Sequence, residues 1–175
     1  MGQWFWKPVL PVKNVHILGL DSSGKTTILY QWVLQETLIT CPTSGMNMET
    51  IEMGHLLFRF FDFSGNKSSR SFWKAYLPTA HAVIWVVDTS DKNRMDENNC
   101  VFKDIIGSEC FEKKPILILA NKQDVPHALE TDDIIKKLEL DDIHDRPWEI
   151  FSCIAKEGQG LKKPLQWLMH QIDEV

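Results

Sequence analysis

The octapeptide Gly19-Leu20-Asp21-Ser22-Ser23-Gly24-Lys25-Thr26 follows the apolar run Val15, Ile17, Leu18 and opens a helical stretch from Thr27 to Leu34. Strand, glycine loop and helix in that order are what a phosphate-binding P-loop requires. Gly19 and Gly24 let the backbone curl, so that successive N–H groups of Asp21, Ser22, Ser23, Gly24 and onward to Thr27 point at phosphate oxygens. Lys25 supplies a point charge to the β- and γ-phosphates, and the Thr26 hydroxyl can ligate Mg²⁺. A Gly/Ser-rich turn with a solvated lysine is the plain alternative, and it leaves the flanking strand and helix unexplained.

A P-loop reads phosphate, so the base must be read elsewhere. Asn121-Lys122-Gln123-Asp124 directly follows the apolar run Ile116 to Ala120 and matches the guanine-reading Asn-Lys-x-Asp pattern. The Asp124 carboxylate can accept hydrogen bonds from guanine N1–H and the 2-amino group. Adenine lacks both donors and would leave a desolvated charge unpaired. Asn121 would brace the loop and the base, and the aliphatic stem of Lys122 would cover the purine face.

Working outward, the chain alternates strand and helix candidates. Strands are expected at Val15 to Leu18, Met48 to Met53, His55 to Phe61, Ala82 to Val87, Ile116 to Leu119 and Trp148 to Cys153. A turn at Gly54 joins the second and third as a hairpin, while the others are apolar throughout and read as buried parallel strands. The expected fold is α/β, a six-stranded mostly parallel sheet with one antiparallel edge strand and helices on both faces. In the last helix Leu161, Leu165, Leu168 and Ile172 recur at helical spacing, a stripe that reads as core-facing.

Composition agrees with one such domain. The chain has 175 residues with 43% hydrophobic content, enough to bury one core. A net charge of −5 argues against a nucleic-acid partner or a polybasic membrane patch. Cys41, Cys100, Cys110 and Cys153 show no CxxC or zinc-like spacing, and read as reduced cytosolic thiols, most of them packed. No apolar stretch approaches the ~18 residues that span a bilayer, and no secretory signal pattern is present.

With these motifs in place, the chain resembles the small GTPases of the Arf and Arf-like family from Gly2 to about Ile172. The resemblance rests on Gly19 to Leu29, Pro42-Thr43-x-Gly45, Met48-Glu49-Thr50-Ile51-Glu52, Val86-Val87-Asp88 and Ala120 to Asp124. Ile28-Leu29-Tyr30-Gln31 and Arg146-Pro147-Trp148 are most similar to the Arf-like branch numbered five. The implied division is an N-terminal membrane segment, 1–13, and a GTPase domain of the P-loop GTPase fold, 14–175. Ile154-Ala155-Lys156 sits where relatives carry Ser-Ala-Lys or Cys-Ala-Thr, which adds Ala155 and Lys156 to the nucleotide site; the Ala155 N–H is expected at guanine O6.

The family's Asp-x-x-Gly is retained in Asp62-Phe63-Ser64-Gly65, so Asp62 would hold Mg²⁺ through water and the Gly65 N–H would donate to the γ-phosphate. Relatives usually continue Gly-Gly-Gln; this chain has Ser64-Gly65-Asn66. Glutamine orients the attacking water, and asparagine is one methylene shorter. A shortfall of ~1 Å is enough to cost about 10²-fold, so slow hydrolysis is expected unless Ser64 or the backbone carries Asn66 forward. Lys25, Gly65 and Asn66 are thus the candidate catalytic residues, and Thr26 and Thr43 the candidate Mg²⁺ ligands.

The resemblance further implies a GTP/GDP switch in membrane traffic, a monomer, cytoplasmic and peripheral on Golgi or other endomembranes. It implies an exchange factor, a GTPase-activating protein and effectors that meet the switch regions and hairpin at Met46, Phe61 and Tyr76, with no nucleic acid. Thr43 would be ordered only with γ-phosphate present. Gly2 is available for myristoylation, and Trp4, Phe5, Trp6, Val9 and Leu10 would supply the second membrane signal that one acyl chain needs. Trp6 stands where the common acceptor pattern wants Ser or Thr, Pro8 and Pro11 limit any helix, and Asp173-Glu174-Val175 carries no prenylation box. The alternative reading is a guanine-nucleotide-binding interaction module with essentially no turnover.

Overall fold

The computed structural model describes residues 9–34, 40–41 and 43–173. Six strands form one sheet: β1 (Val12–Leu18), β2 (Met46–Met53), β3 (Leu56–Phe63), β4 (Ala82–Asp88), β5 (Ile116–Asn121) and β6 (Trp148–Ser152), in the spatial order β2-β3-β1-β4-β5-β6. Only β2 runs antiparallel, paired with β3 from Met46 opposite Phe63 to Met53 opposite Leu56. Gly54, at φ +63°, makes the tight turn between them. The expected topology is therefore present, with β1 to β5 longer than the apolar runs alone suggested and β6 ending one residue earlier, at Ser152. Polar ends such as Asp88 and Asn121 continue the ladder because their backbones pair even though their side chains are hydrophilic.

The apolar patterns explain which strands lie where. Every residue of β5 is buried, as are the first six of β4, because parallel strands in mid-sheet are covered on both faces. β2 alternates exposed and half-buried residues, the signature of an edge. Val83, Trp85, Val87, Ile116, Ile118 and Ala120 face a core closed by α2 (Ser71–Tyr76), α3 (Met95–Ile106) and α4 (Thr131–Leu138). Their neighbours Ala82, Ile84, Val86, Leu117 and Leu119 face the opposite core, closed by α1 (Lys25–Leu34) and α5 (Lys162–Asp173). The stripe Leu161, Leu165, Leu168, Ile172 packs into this second core, as its spacing predicts.

β1 begins at Val12, two residues before the expected start of the GTPase domain. One expectation needs amendment. Cys41, Cys100 and Cys110 are exposed and only Cys153 is buried, so most thiols are at the surface rather than packed. Cysteine's apolar side chain set that expectation, but none of these three lies on a core-facing position. Gly2, Trp4, Phe5 and Trp6 lie outside the described residues, and Val9 is fully exposed. Among the described residues no helix is long and apolar enough to cross a membrane.

The functional consequence of the topology is local. β1 sits between β3 and β4, so the connections leave it to opposite sides, and the crevice at the carboxyl ends of the strands opens there. Register places Ile17 beside Asp62 and Asp88 beside Asn121. The motifs, scattered over more than a hundred residues of sequence, end on one edge.

Candidate nucleotide and magnesium site

A cavity of about 450 Å³ opens at that edge, lined by Asp21, Ser22 and Gly24 to Thr27 of the P-loop, by Thr40, Cys41 and Thr43, by Phe63 to Asn66, and by Lys122. The loop takes its shape from its glycines. Gly19 is at φ +139° and a side chain there would meet the Val86 carbonyl oxygen at 2.3 Å. Gly24 is at φ +97°, and a methyl group would fall 2.2 Å from the Asn121 amide nitrogen. Both demands exclude every residue but glycine.

Lys25 opens α1 and is buried, with its ammonium donating to the Leu20 carbonyl at 2.8 Å. Burial pulls its pKa down to about 8, against the opposing pull of Asp62 and Asp21. An ammonium under that strain gains most from an anion, which is what the β- and γ-phosphates supply. Beside it Thr26 Oγ1 donates to Asp62 Oδ2 at 2.5 Å and lies 3.0 Å from Thr43 Oγ1. Thr43 donates to the same Asp62 oxygen at 3.3 Å and Asn47 at 3.2 Å. The other carboxylate oxygen, Asp62 Oδ1, is buried with no hydrogen-bond partner, and burial raises the carboxyl pKa. Two hydroxyls and one under-satisfied buried carboxylate form a hard oxygen set of the kind that holds Mg²⁺ together with phosphate oxygens. Thr26 and Thr43 thus come together beside Asp62, which the sequence reading sets at the metal through water, and Asn47 joins them.

Asn121 is the brace of the base half. Buried at the end of β5, its amide donates to the Ser23 carbonyl at 2.8 Å, and its carbonyl oxygen accepts the Ala155 N–H at 3.0 Å. The Ala155 N–H, expected at guanine O6, is thus directed at Asn121 in this structure. Lys122 reaches Asp88 Oδ2 at 2.5 Å, which lays its stem along the cavity wall. Asp124 sits on the exposed side and pairs with Lys156 at 2.5 Å; that hydrogen bond holds the carboxyl below its ordinary pKa, so it is ionised. Thr27 bonds Thr40 at 3.3 Å, and Ser22 takes a positive φ of 61° at the loop's tip.

Sequence reasoning missed the charge network behind the switch loops. Arg70 donates from Nε to the Gly65 carbonyl at 2.9 Å and from Nη1 to Glu97 at 2.7 Å, while Arg94 binds Asp21 at 2.9 Å and Asp91 at 2.6 Å. Gly65 lies so close to the P-loop that a methyl group there would meet the Asp21 nitrogen at 2.3 Å. No local signal separates these arginines from solvated ones. Of the hydrophobic trio, Met46 and Tyr76 are exposed and Phe61 is half-buried, with Met48 and Phe72 adding to the exposed apolar surface.

This geometry has counterparts among known proteins. A profile of the ADP-ribosylation factor family matches residues 9–172. The chain belongs to the ADP-ribosylation factor family. It is 41% identical over 159 residues to ADP-ribosylation factor 1 of Brassica rapa subsp. pekinensis, covering 91% of this chain and 87% of the relative. ADP-ribosylation factor-like protein 1 of Saccharomyces cerevisiae is 39% identical over 92% of this chain and 88% of its own. Among solved structures, the Arl6 BBS3 small GTPase from Trypanosoma brucei, with the bound nucleotide analogue GppNp, superposes with a TM-score of 0.85 at 31% identity, covering 93% of this chain and 98% of that one. The sheet and helices are those of the P-loop GTPase fold, and as an Arf-family small GTPase the chain is a guanine-nucleotide-binding protein.

Proposed function

We propose that this family member is a slow GTP/GDP switch that cycles on endomembranes, the Golgi among them, as a monomer. The observation that carries the switch reading is the convergence of Thr26, Thr43 and Asp62 within hydrogen-bonding distance at the head of the cavity. Thr43 belongs to a separate loop, beyond the end of α1, and its approach joins that loop to the P-loop in a closed arrangement. Thr26, Thr43 and Asp62 would hold Mg²⁺, which when bound neutralises developing charge on the phosphates. Lys25 places its buried ammonium against the transferring group, Gly65 offers its N–H from beside the P-loop, and Asp124 with Asn121 selects guanine. The exposed Met46, Met48, Phe72 and Tyr76 make the surface that exchange factor, activating protein or effector meets.

Slow turnover follows from Asn66, whose exposed side chain replaces the longer glutamine. The membrane part rests on Gly2 and the aromatic residues that follow. The test is vesicle partitioning of the Gly2-acylated chain loaded with GDP or with a non-hydrolysable GTP analogue. The triphosphate form should partition more strongly, and deletion of Gly2 to Trp6 should abolish the difference. Equal partitioning in both states contradicts the membrane switch.

A further inference from the structure

The two departures from the family's Gly-Gly-Gln, Ser64 and Asn66, are held very differently. Ser64 is 2% exposed and lines the cavity with Lys25, Gly65 and Asn66. Its backbone is fixed on both sides: its N–H donates to the Gly45 carbonyl at 2.8 Å, and its carbonyl accepts the Trp73 indole N–H at 3.0 Å. Trp73 is itself fully buried, so the anchor is rigid. The Ser64 hydroxyl oxygen accepts the Asn66 N–H at 3.4 Å. A serine hydroxyl has one donor and two lone pairs, so the O–H and one lone pair remain for a molecule in the cavity. The Asn66 carboxamide, by contrast, is exposed and does not cap the turn that follows it. Nothing in the described chain fixes its orientation.

We infer that Ser64 is the water-positioning residue of this chain, its hydroxyl holding the nucleophilic water against the γ-phosphate of bound GTP. The inference rests on the reading of the chain as a GTP-hydrolysing switch and names the residue that directs its reaction. The free lone pair of Ser64 Oγ accepts one O–H of the water, which turns a water lone pair toward phosphorus. The water oxygen forms the new bond to the γ-phosphorus. The bond from that phosphorus to the β–γ bridging oxygen breaks, with its electron pair leaving on GDP. The water's protons end on inorganic phosphate and solvent. In this arrangement serine meets the water through its one free lone pair where glutamine's amide gives two contacts, so the device orients water and remains slow.

The experiment is single-turnover hydrolysis of pre-bound GTP at saturating Mg²⁺ in the unmutated chain, Ser64→Ala, Ser64→Cys and Asn66→Ala. GTP dissociation is measured in parallel, and thermal unfolding of each variant reports whether the fold is intact. Ser64→Cys keeps the shape while replacing a good acceptor with a weak one, so it separates packing from hydrogen bonding. Both Ser64 variants should hydrolyse roughly tenfold more slowly, a larger loss than Asn66→Ala shows, with GTP dissociation shifted less than about threefold. If Ser64→Ala fails to fold, the cysteine variant decides alone. Full activity in a folded Ser64 variant, or a larger loss in Asn66→Ala, overturns the inference while the switch reading stands. No turnover in the unmutated chain overturns both.

Discussion

The P-loop and the segment from Ser64 to Tyr76 face each other across one cavity and are built by different physics. The P-loop is held by backbone shape: Gly19 and Gly24 in conformations only glycine takes, and Asn121 bonding both Ser23 and Ala155 from a buried position. The facing segment is anchored at Ser64 and buried Trp73, but the stretch between them is held by charge, through Arg70 to Gly65 and Glu97, and the segment exposes Asn66, Phe72 and Tyr76. Steric fit and buried hydrogen bonds are stiff, whereas partly exposed ion pairs exchange readily with water. The half that must bind phosphate in every state is rigid, and the half that must report which phosphate is present is lightly tied between its anchors at Ser64 and Trp73.

The strongest way to break this contrast is to put the same methyl group on each side. Gly24→Ala forces a methyl into the Asn121 amide at a positive φ, and should destabilise the fold by about 2–4 kcal/mol and weaken GDP binding on the order of 10²-fold. Gly65→Ala brings a methyl against the P-loop backbone from the facing segment; its loss should fall mainly on hydrolysis and cost GDP affinity less than Gly24→Ala does. Thermal unfolding and GDP titration of the two variants distinguish these outcomes; equal losses of GDP affinity would erase the contrast.

A smaller effect should come from His16, which lies beneath the switch segment against Phe61 and Phe63, with Nδ1 unpartnered. Burial pulls its pKa down to about 4, so the native state excludes a proton that the unfolded chain takes up below about 6.5. Stability should therefore fall as pH drops from 6.5 toward 4, by on the order of 3 kcal/mol in total, and level off below. His16→Leu should flatten that limb of a urea-denaturation series. An unchanged slope would show that His16 is not the titrating group.

The ion pair is weaker still. A double-mutant cycle on Arg70→Ala and Glu97→Ala should give a coupling of about 1 kcal/mol in stability, diminished by salt. A coupling of 3 kcal/mol or more would mean the switch segment is as firmly fixed as the P-loop. The smallest perturbation is chemical labelling. Burial pushes the Cys153 thiol up to about 12, so it should resist alkylation until the chain unfolds, while Cys41, Cys100 and Cys110 react. Bound nucleotide should protect Cys41 because that residue lines the cavity; labelling of Cys41 at equal rates with and without GDP would remove it from the site.

The same division governs what the sequence discloses. The P-loop, the Asn121 motif and the Gly54 hairpin are readable because each depends on residues close in sequence whose types are demanded by backbone geometry or by a base edge. Asp62 was legible through its spacing to Gly65. Asn47, which donates to Asp62, was not, because an asparagine on an alternating edge strand has no pattern of its own. Arg70, Glu97 and Arg94 were hidden for the related reason that ion pairs between distant segments leave no local periodicity. The thiols were misjudged because one-residue apolarity says nothing about which face of an element carries it.

The central claim is that the braced loop and Asp124 select guanine nucleotides, and competition binding tests it most directly. Purified chain stripped of nucleotide is equilibrated with a fluorescent GDP analogue and challenged with GDP, GTP, xanthosine diphosphate and ATP at saturating Mg²⁺. GDP and GTP should displace the probe at least about 10²-fold more effectively than ATP, given two charged hydrogen bonds that adenine cannot make. Asp124→Asn should shift preference toward the xanthine nucleotide, because its amide donates where the carboxylate accepted. Equal displacement by ATP and GTP in the unmutated chain would contradict the account.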